Sequence, residues 1–191
     1  MRILGVTLDT KLTFEKHIST ILMSAAQKIG ILRRAWSIYQ DESIVSRCFW
    51  SLILPILEYC APVWSSSVGG HLAQLDRVVD RIVRMSNGLV QCNLQHRRNV
   101  AALCMLFKIR ANVFHPLNAY LPLPYEPARE LRRHARHHDH QLTAINCRTS
   151  PYQRSFVPRL TELWYSLGQN VVFDGGLQKF KSTVNCFLLQ A

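Results

Sequence analysis

The chain has 191 residues, 48% of them hydrophobic, which suits one ordinary domain or one and a half with a real core and excludes a disordered chain. Its formal net charge is +11, and 17 of the 23 basic residues are arginine, whose planar fork matches phosphate. Polyanions are the expected partners, nucleic acid first and an anionic membrane surface second. The six cysteines are scattered without a Cys-x-x-Cys pair, which predicts free thiols in a reducing, intracellular setting, cytoplasm or nucleus. No signal-peptide pattern opens the chain.

The spacing predicts a mainly α protein. Residues Arg2 to Asp9 read as one short strand with no earlier partner. Thr13 is placed to cap a helix with Ile18, Ile21, Leu22, Ala25, Ile29, Leu32 and Trp36 inward, and Lys28, Arg33 and Arg34 off that face. Asp41 is expected to cap the next helix, which carries the most apolar stretch, Leu52 to Trp64. A stripe that takes Ile44, Val45, Cys48 and Phe49 on through Leu52, Ile56 and Cys60, widened by Ile53 and Leu57, makes this a central helix bent at Pro55. Only ten residues separate Arg47 from Glu58, so it is too short to cross a membrane, which takes roughly 20.

After a Ser/Gly turn, a third helix turns Leu72, Leu75, Val78, Val79, Ile82 and Val83 inward and Arg77, Arg81 and Arg84 outward, with Asn87-Gly88 as its stop. Asn93 is expected to cap a fourth, through Arg97, Arg98 and Lys108 to Ile109, ended by His115-Pro116. Leu121 to Pro127 forms a proline-rich connector. The stretch 129–140, with Arg129, Arg132, Arg133, Arg136 and four histidines, is nearly devoid of apolar residues and reads as a segment that orders only on a partner. Helical spacing returns from Ser155 to Leu167 and again after Asp174. The resulting division is a strand remnant at 1–10, a helical domain at 11–115, a linker at 116–154 and a C-terminal helical segment at 155–191.

No catalytic set emerges. Asp76 and Asp80 share a helix but stand among arginines, which makes them ion-pair members rather than a metal pair. His134, His137, His138 and His140 with Cys147 lack paired cysteines and lie beside arginines that repel a cation. Cys92 and His96 have no orienting acid. The expectation is no metal and no cofactor on this chain, and binding through basic stripes.

Ile3-Leu4-Gly5-Val6-Thr7-Leu8-Asp9 with Leu12-Thr13-Phe14 and His17-Ile18 resembles the end of the reverse-transcriptase region of non-LTR (LINE-like, jockey-type) retrotransposons. The resemblance runs on through Leu32-Arg33-Arg34, Leu54-Pro55, Leu57 to Trp64, Leu75-Asp76-Arg77, Arg81-Ile82, His96-Arg97-Arg98 and Phe107-Lys108-Ile109. It continues through His115-Pro116-Leu117, Leu121-Pro122, Ser155 to Arg159, Leu163-Trp164 and Leu177 to Lys181. Trp164-Tyr165-Ser166-Leu167-Gly168 departs from the family's Trp-Asn-x-Leu-Pro, and the Cys-Cys-His-Cys knuckle of some relatives is absent.

The resemblance implies a primer-grip hairpin at Leu4 and Gly5, a helical thumb after it and a C-terminal tail. The fingers, and the palm with its Tyr/Phe-x-Asp-Asp loop and magnesium, would belong to sequence ahead of Met1. The implied partners are RNA, DNA or an RNA–DNA hybrid and the missing fingers and palm, with no membrane. The implied contacts are Lys28, Arg33, Arg34, Arg77, Arg81 and Arg84, then Arg97 and Arg98, with Arg132, Arg133 and Arg136 as a flexible clamp. The alternatives are an exapted stand-alone nucleic-acid-binding protein and a non-functional remnant of a decayed element.

Overall fold

The computed structural model describes residues 1–112, 114–124, 142–167 and 175–190. It is mainly helical, with one two-stranded antiparallel ribbon at the N-terminus. Two compact units divide the chain, Met1–Arg98 and Asn99–Ala191. The boundary lies inside a helix rather than at residue 115.

The first unit opens with β1 (Arg2–Ile3) and β2 (Val6–Thr7), paired Arg2 to Thr7 and Ile3 to Val6. The single strand expected here is therefore a hairpin. Leu4 and Gly5 turn it with φ of 45° and 84°, the left-handed pair that a two-residue hairpin loop requires. Glycine adopts this freely and leucine does so at a cost. Helix α1 (Glu15–Tyr39) follows, and its cap also differs from expectation. Thr13 is not the N-cap; Phe14 holds that position in the left-handed region. The Asp9 carboxylate instead accepts from the Thr13 hydroxyl at 2.6 Å and from the Thr13 and Phe14 amides. Those bonds hold the Asp9 carboxyl below its usual value, the Thr13 hydroxyl contributing most. Ile18, Ile21, Ala25, Ile29 and Leu32 are buried as the spacing predicts, Leu22 and Trp36 only partly.

The apolar stretch departs most from a simple helix. Asp41 caps α2 (Glu42–Cys48) as expected, accepting from the Ser43 amide at 2.8 Å. The chain then widens into a π-turn, Phe49–Ile53, and narrows into α3 (Leu54–Glu58), with Pro55 in the first turn where its missing N–H costs nothing. Cys60, at φ 52°, breaks the path before α4 (Ala61–Trp64). Of the broad predicted stripe, Val45, Phe49, Ile53 and Leu57 form the buried line, Cys48 and Ile56 are only partly buried, and Leu52 stands 52% exposed. A π-turn carries about 4.4 residues, so four-residue steps stay on one face across it, whereas an α-helix would rotate them away.

Helix α5 (Gly69–Met85) packs against α1 and buries Leu75, Val78, Val79 and Ile82. Gly69 and Gly70, expected in the turn ahead of this helix, form its first turn. Ser67, buried, donates to the Thr13 carbonyl at 2.7 Å and ties the entry of α5 to the loop before α1. Asn87 and Gly88, at φ 47° and 82°, stop the helix as predicted. Trp64 is fully buried, donating from its indole N–H to the Tyr59 carbonyl at 2.7 Å.

Asn93 accepts from the His96 amide at 3.0 Å and so caps α6 (Leu94–Ala111). From Asn99 onward the second unit has its own core: Leu103, Leu106, Leu160, Trp164, Phe180 and Val184 are buried together. It adds a 3₁₀ turn Pro116–Tyr120, α7 (Ser150–Arg154), α8 (Phe156–Tyr165) and α9 (Gly176–Gln190). Helix α7 lies within the stretch read from the sequence as linker. Phe107 stacks on Phe180 with centroids 4.4 Å apart. Arg132, Arg133, Arg136, the histidine cluster and Asp174 lie outside the described residues.

Candidate nucleic-acid interface

The α5 arginines make one stripe. At about 100° per residue, Arg77, Arg81 and Arg84 span roughly 60° of arc and point away from the buried Leu75–Ile82 face. All three are exposed. Arg84 donates to the Asp80 carbonyl at 3.2 Å, within its own helix. Among the described residues, none of Arg33, Arg34, Arg77, Arg81 and Arg84 is in an ion pair.

The α1 cations are arranged differently. Arg33 and Arg34 are exposed near the C-terminal end of the helix, whereas Lys28 is half-buried on the other flank of the apolar stripe. By the helical step, Lys28 and Arg33 lie about 140° apart, so they do not form one face.

Arg97 and Arg98 require correction as phosphate contacts. Arg98 is 1% exposed and donates to the Asp76 carboxylate at 3.1 Å and to Gln95 at 3.0 Å. A guanidinium so enclosed meets no phosphate; it joins α6 to α5. Arg97 grips both oxygens of Glu58, the second at 3.0 Å, and its guanidinium lies 5.7 Å from the Trp50 ring centroid. Glu58 accordingly holds the Arg97 charge more firmly than usual. Both arginines join elements of the fold.

Leu4 and Gly5 stand at the exposed hairpin tip, where the Tyr59 hydroxyl donates to the Leu4 carbonyl at 2.9 Å. A Cβ on Gly5 would meet the Tyr59 ring at an ordinary 3.4 Å, so it is the turn's φ of 84°, not the approach to Tyr59, that favours glycine here. Beside the tip lies a cavity of about 500 Å³ lined by Arg2, Gly5, His17, Thr20, Pro55 and Tyr59 among others. His17 is buried there; its Nδ1 accepts from the Thr7 amide at 3.5 Å, and its ring meets Trp64 edge-on. Burial, with a smaller push from Arg2, lowers its pKa below 6.5 and keeps it neutral. The sequence reading used His17 only as part of a motif; its four-residue step to Ile21 was the available sign of burial.

The chain matches no known protein family, curated protein or solved structure.

The site must therefore be judged by its own chemistry. Among the described residues, no three His, Cys, Asp or Glu side chains converge on a point that could hold a metal. The Asp76 carboxylate is already bound to Arg98, and Asp80 stands exposed between Arg77, Arg81 and Arg84. That pair does not fit a shared magnesium ion, which needs carboxylates open to the cation. All six cysteines are free, and burial raises the Cys92 and Cys104 thiols above their usual value, which makes them inert. Among the described residues, no helix is long and apolar enough to cross a membrane. Arg33, Arg34, Arg77, Arg81 and Arg84 are exposed guanidinium groups with no ion pair among the described residues.

Proposed function

We propose that this chain is the nucleic-acid-gripping thumb and C-terminal part of a non-LTR retrotransposon reverse transcriptase, holding a template–primer duplex by its backbone phosphates without catalysing synthesis itself. The observation that carries the proposal is the α5 face: three exposed arginines on one arc, with no ion pair among the described residues and a net charge of +11 behind them. Charges so placed bind a polyanion through counterion release, in a salt-dependent and sequence-independent manner. Arg33 and Arg34 extend the basic surface on a second helix, and Leu4-Gly5 offers a tip that a strand end can approach closely.

Two measurements test it together. Fluorescence anisotropy of a labelled RNA–DNA hybrid should show binding by the purified chain that weakens linearly with log salt concentration. Lack of binding at 50 mM salt overturns the proposal. Primer extension on a primed RNA template with magnesium should give no incorporation; synthesis above background by this chain overturns the second half.

A further inference from the structure

The second unit contains a cation that the nucleic-acid reading does not use. Arg110, in the last turn of α6, is half-buried, with its guanidinium carbon 6.0 Å from the centroid of the buried Trp164 ring. Among the described residues of this unit the one acid is Glu162, which lines a different cavity with Cys147 and Tyr165. Arg110 therefore has an aromatic face as partner and no carboxylate among the described residues. Burial lowers its pKa, and at neutral pH it stays charged. A partly desolvated guanidinium with no carboxylate partner among the described residues is costly, and an incoming anion offsets that cost.

Arg110 lines a cavity of about 550 Å³ at the end of α6. The same cavity is walled by Pro116, Pro122 and Pro124 and carries His115 and Asn118. The His115 Nδ1 accepts from the Leu117 amide at 3.2 Å, which leaves the Nε2 proton as a donor in the neutral imidazole. The Asn118 carbonyl is taken by the Leu121 amide at 3.2 Å, within the main chain, while its side-chain amide adds further donors. Apolar walls, one fixed positive charge and neutral donors fit one negative charge on a hydrophobic body. They do not suit a sugar-flanked phosphate.

We propose that this cavity binds a carboxylate carried on an apolar group, with Arg110 taking the charge and His115 and Asn118 orienting it. Both a free aliphatic or aromatic acid and the C-terminal carboxylate of a peptide carry that chemistry.

The test uses the full chain and follows the Arg110 Nε–H resonance during titration. The probes are phenylacetate and a tripeptide ending in leucine, each with its uncharged amide, and dimethyl phosphate. Both acids should shift the resonance saturably, and both amides should fail. A tenfold preference for the peptide assigns the source as a chain terminus, and equal affinity assigns a free acid; either sustains the site. Arg110→Met, which retains an apolar stem against Trp164 and is read by calorimetry because it lacks the reporter N–H, should weaken phenylacetate at least about tenfold, the scale of one charge-assisted hydrogen bond. His115→Ala should weaken it about threefold and serves if the first variant does not fold. Binding of the amides as tightly as the acids, of dimethyl phosphate more tightly than phenylacetate, or unchanged binding by a folded variant overturns the proposal. Hybrid binding through α5 is measured separately, so the two proposals fail independently.

Discussion

Two groups of arginines separated by barely a dozen residues have opposite fates. On α5, Arg77, Arg81 and Arg84 face outward in a row; at the start of α6, Arg97 and Arg98 are bound by Glu58 and Asp76. The residue type is the same and the local spacing is similarly helical. The difference comes from tertiary neighbours, because the acids that capture the second pair lie 39 and 22 positions away in sequence. A charge stripe is therefore available for binding only when no remote carboxylate folds onto it.

The largest effect expected from this contrast belongs to the enclosed pair. Asp76→Ala leaves Arg98 buried and unpaired and should cost about 3 kcal/mol in urea unfolding. Arg98→Met should cost markedly less, because Asp76 is 44% exposed and recovers water. Equal losses from the two variants would contradict the asymmetry. Next, replacing Arg77, Arg81 and Arg84 together by glutamine should leave the unfolding midpoint within the scatter of surface mutations. It should also reduce the salt slope of hybrid binding by about three. A fall in stability with an unchanged slope would exchange the roles of the two groups.

Arg97→Ala should be milder, about 0.5–1 kcal/mol, since its ion pair is partly exposed and screened by solvent. The smallest effect is pH-dependent. Because the folded His17 pKa lies below 6.5, its contribution is complete above pH 6.5 and declines as pH falls from 6.5 toward the folded value. The urea midpoint should drop between pH 7.5 and 5.5, and His17→Phe should flatten that segment of the profile.

Where spacing and local chemistry decided the outcome, the sequence was legible. The buried face of α1, the inward set of α5, the Asp41 and Asn93 caps and the Asn87-Gly88 stop all follow from periodicity and cap preference. The Thr13 cap was misassigned because Asp9 reaches across the loop to take both the hydroxyl and the amide. Propensity alone reads the N-terminal segment as one strand, because Leu4 occupies a left-handed position that leucine seldom adopts, whereas the family resemblance implied a hairpin at Leu4 and Gly5. The roles of Arg97 and Arg98 were hidden for the reason already given: their partners are remote in sequence. On the candidate interface, the α5 stripe was visible from its three- and four-residue steps. The separation of Lys28 from Arg33 was equally available from the helical angle.

The widened turn at Phe49–Ile53 has a consequence for how this chain tolerates changes in length. A π-turn is an α-helix that has absorbed one surplus residue without rotating what lies on either side. Removing the exposed Ser51 would let the coil close to ordinary α winding with Val45 and Leu57 still facing the interior, but it would set Pro55 inside a continuous helix at a cost of about 3 kcal/mol. The same one-residue excision in the middle of α5 would swing every later side chain by about 100°, turning Ile82 outward and Arg84 toward the apolar interior. Shortening the hydrophobic segment therefore keeps its register and strains one proline, whereas shortening α5 loses the register itself.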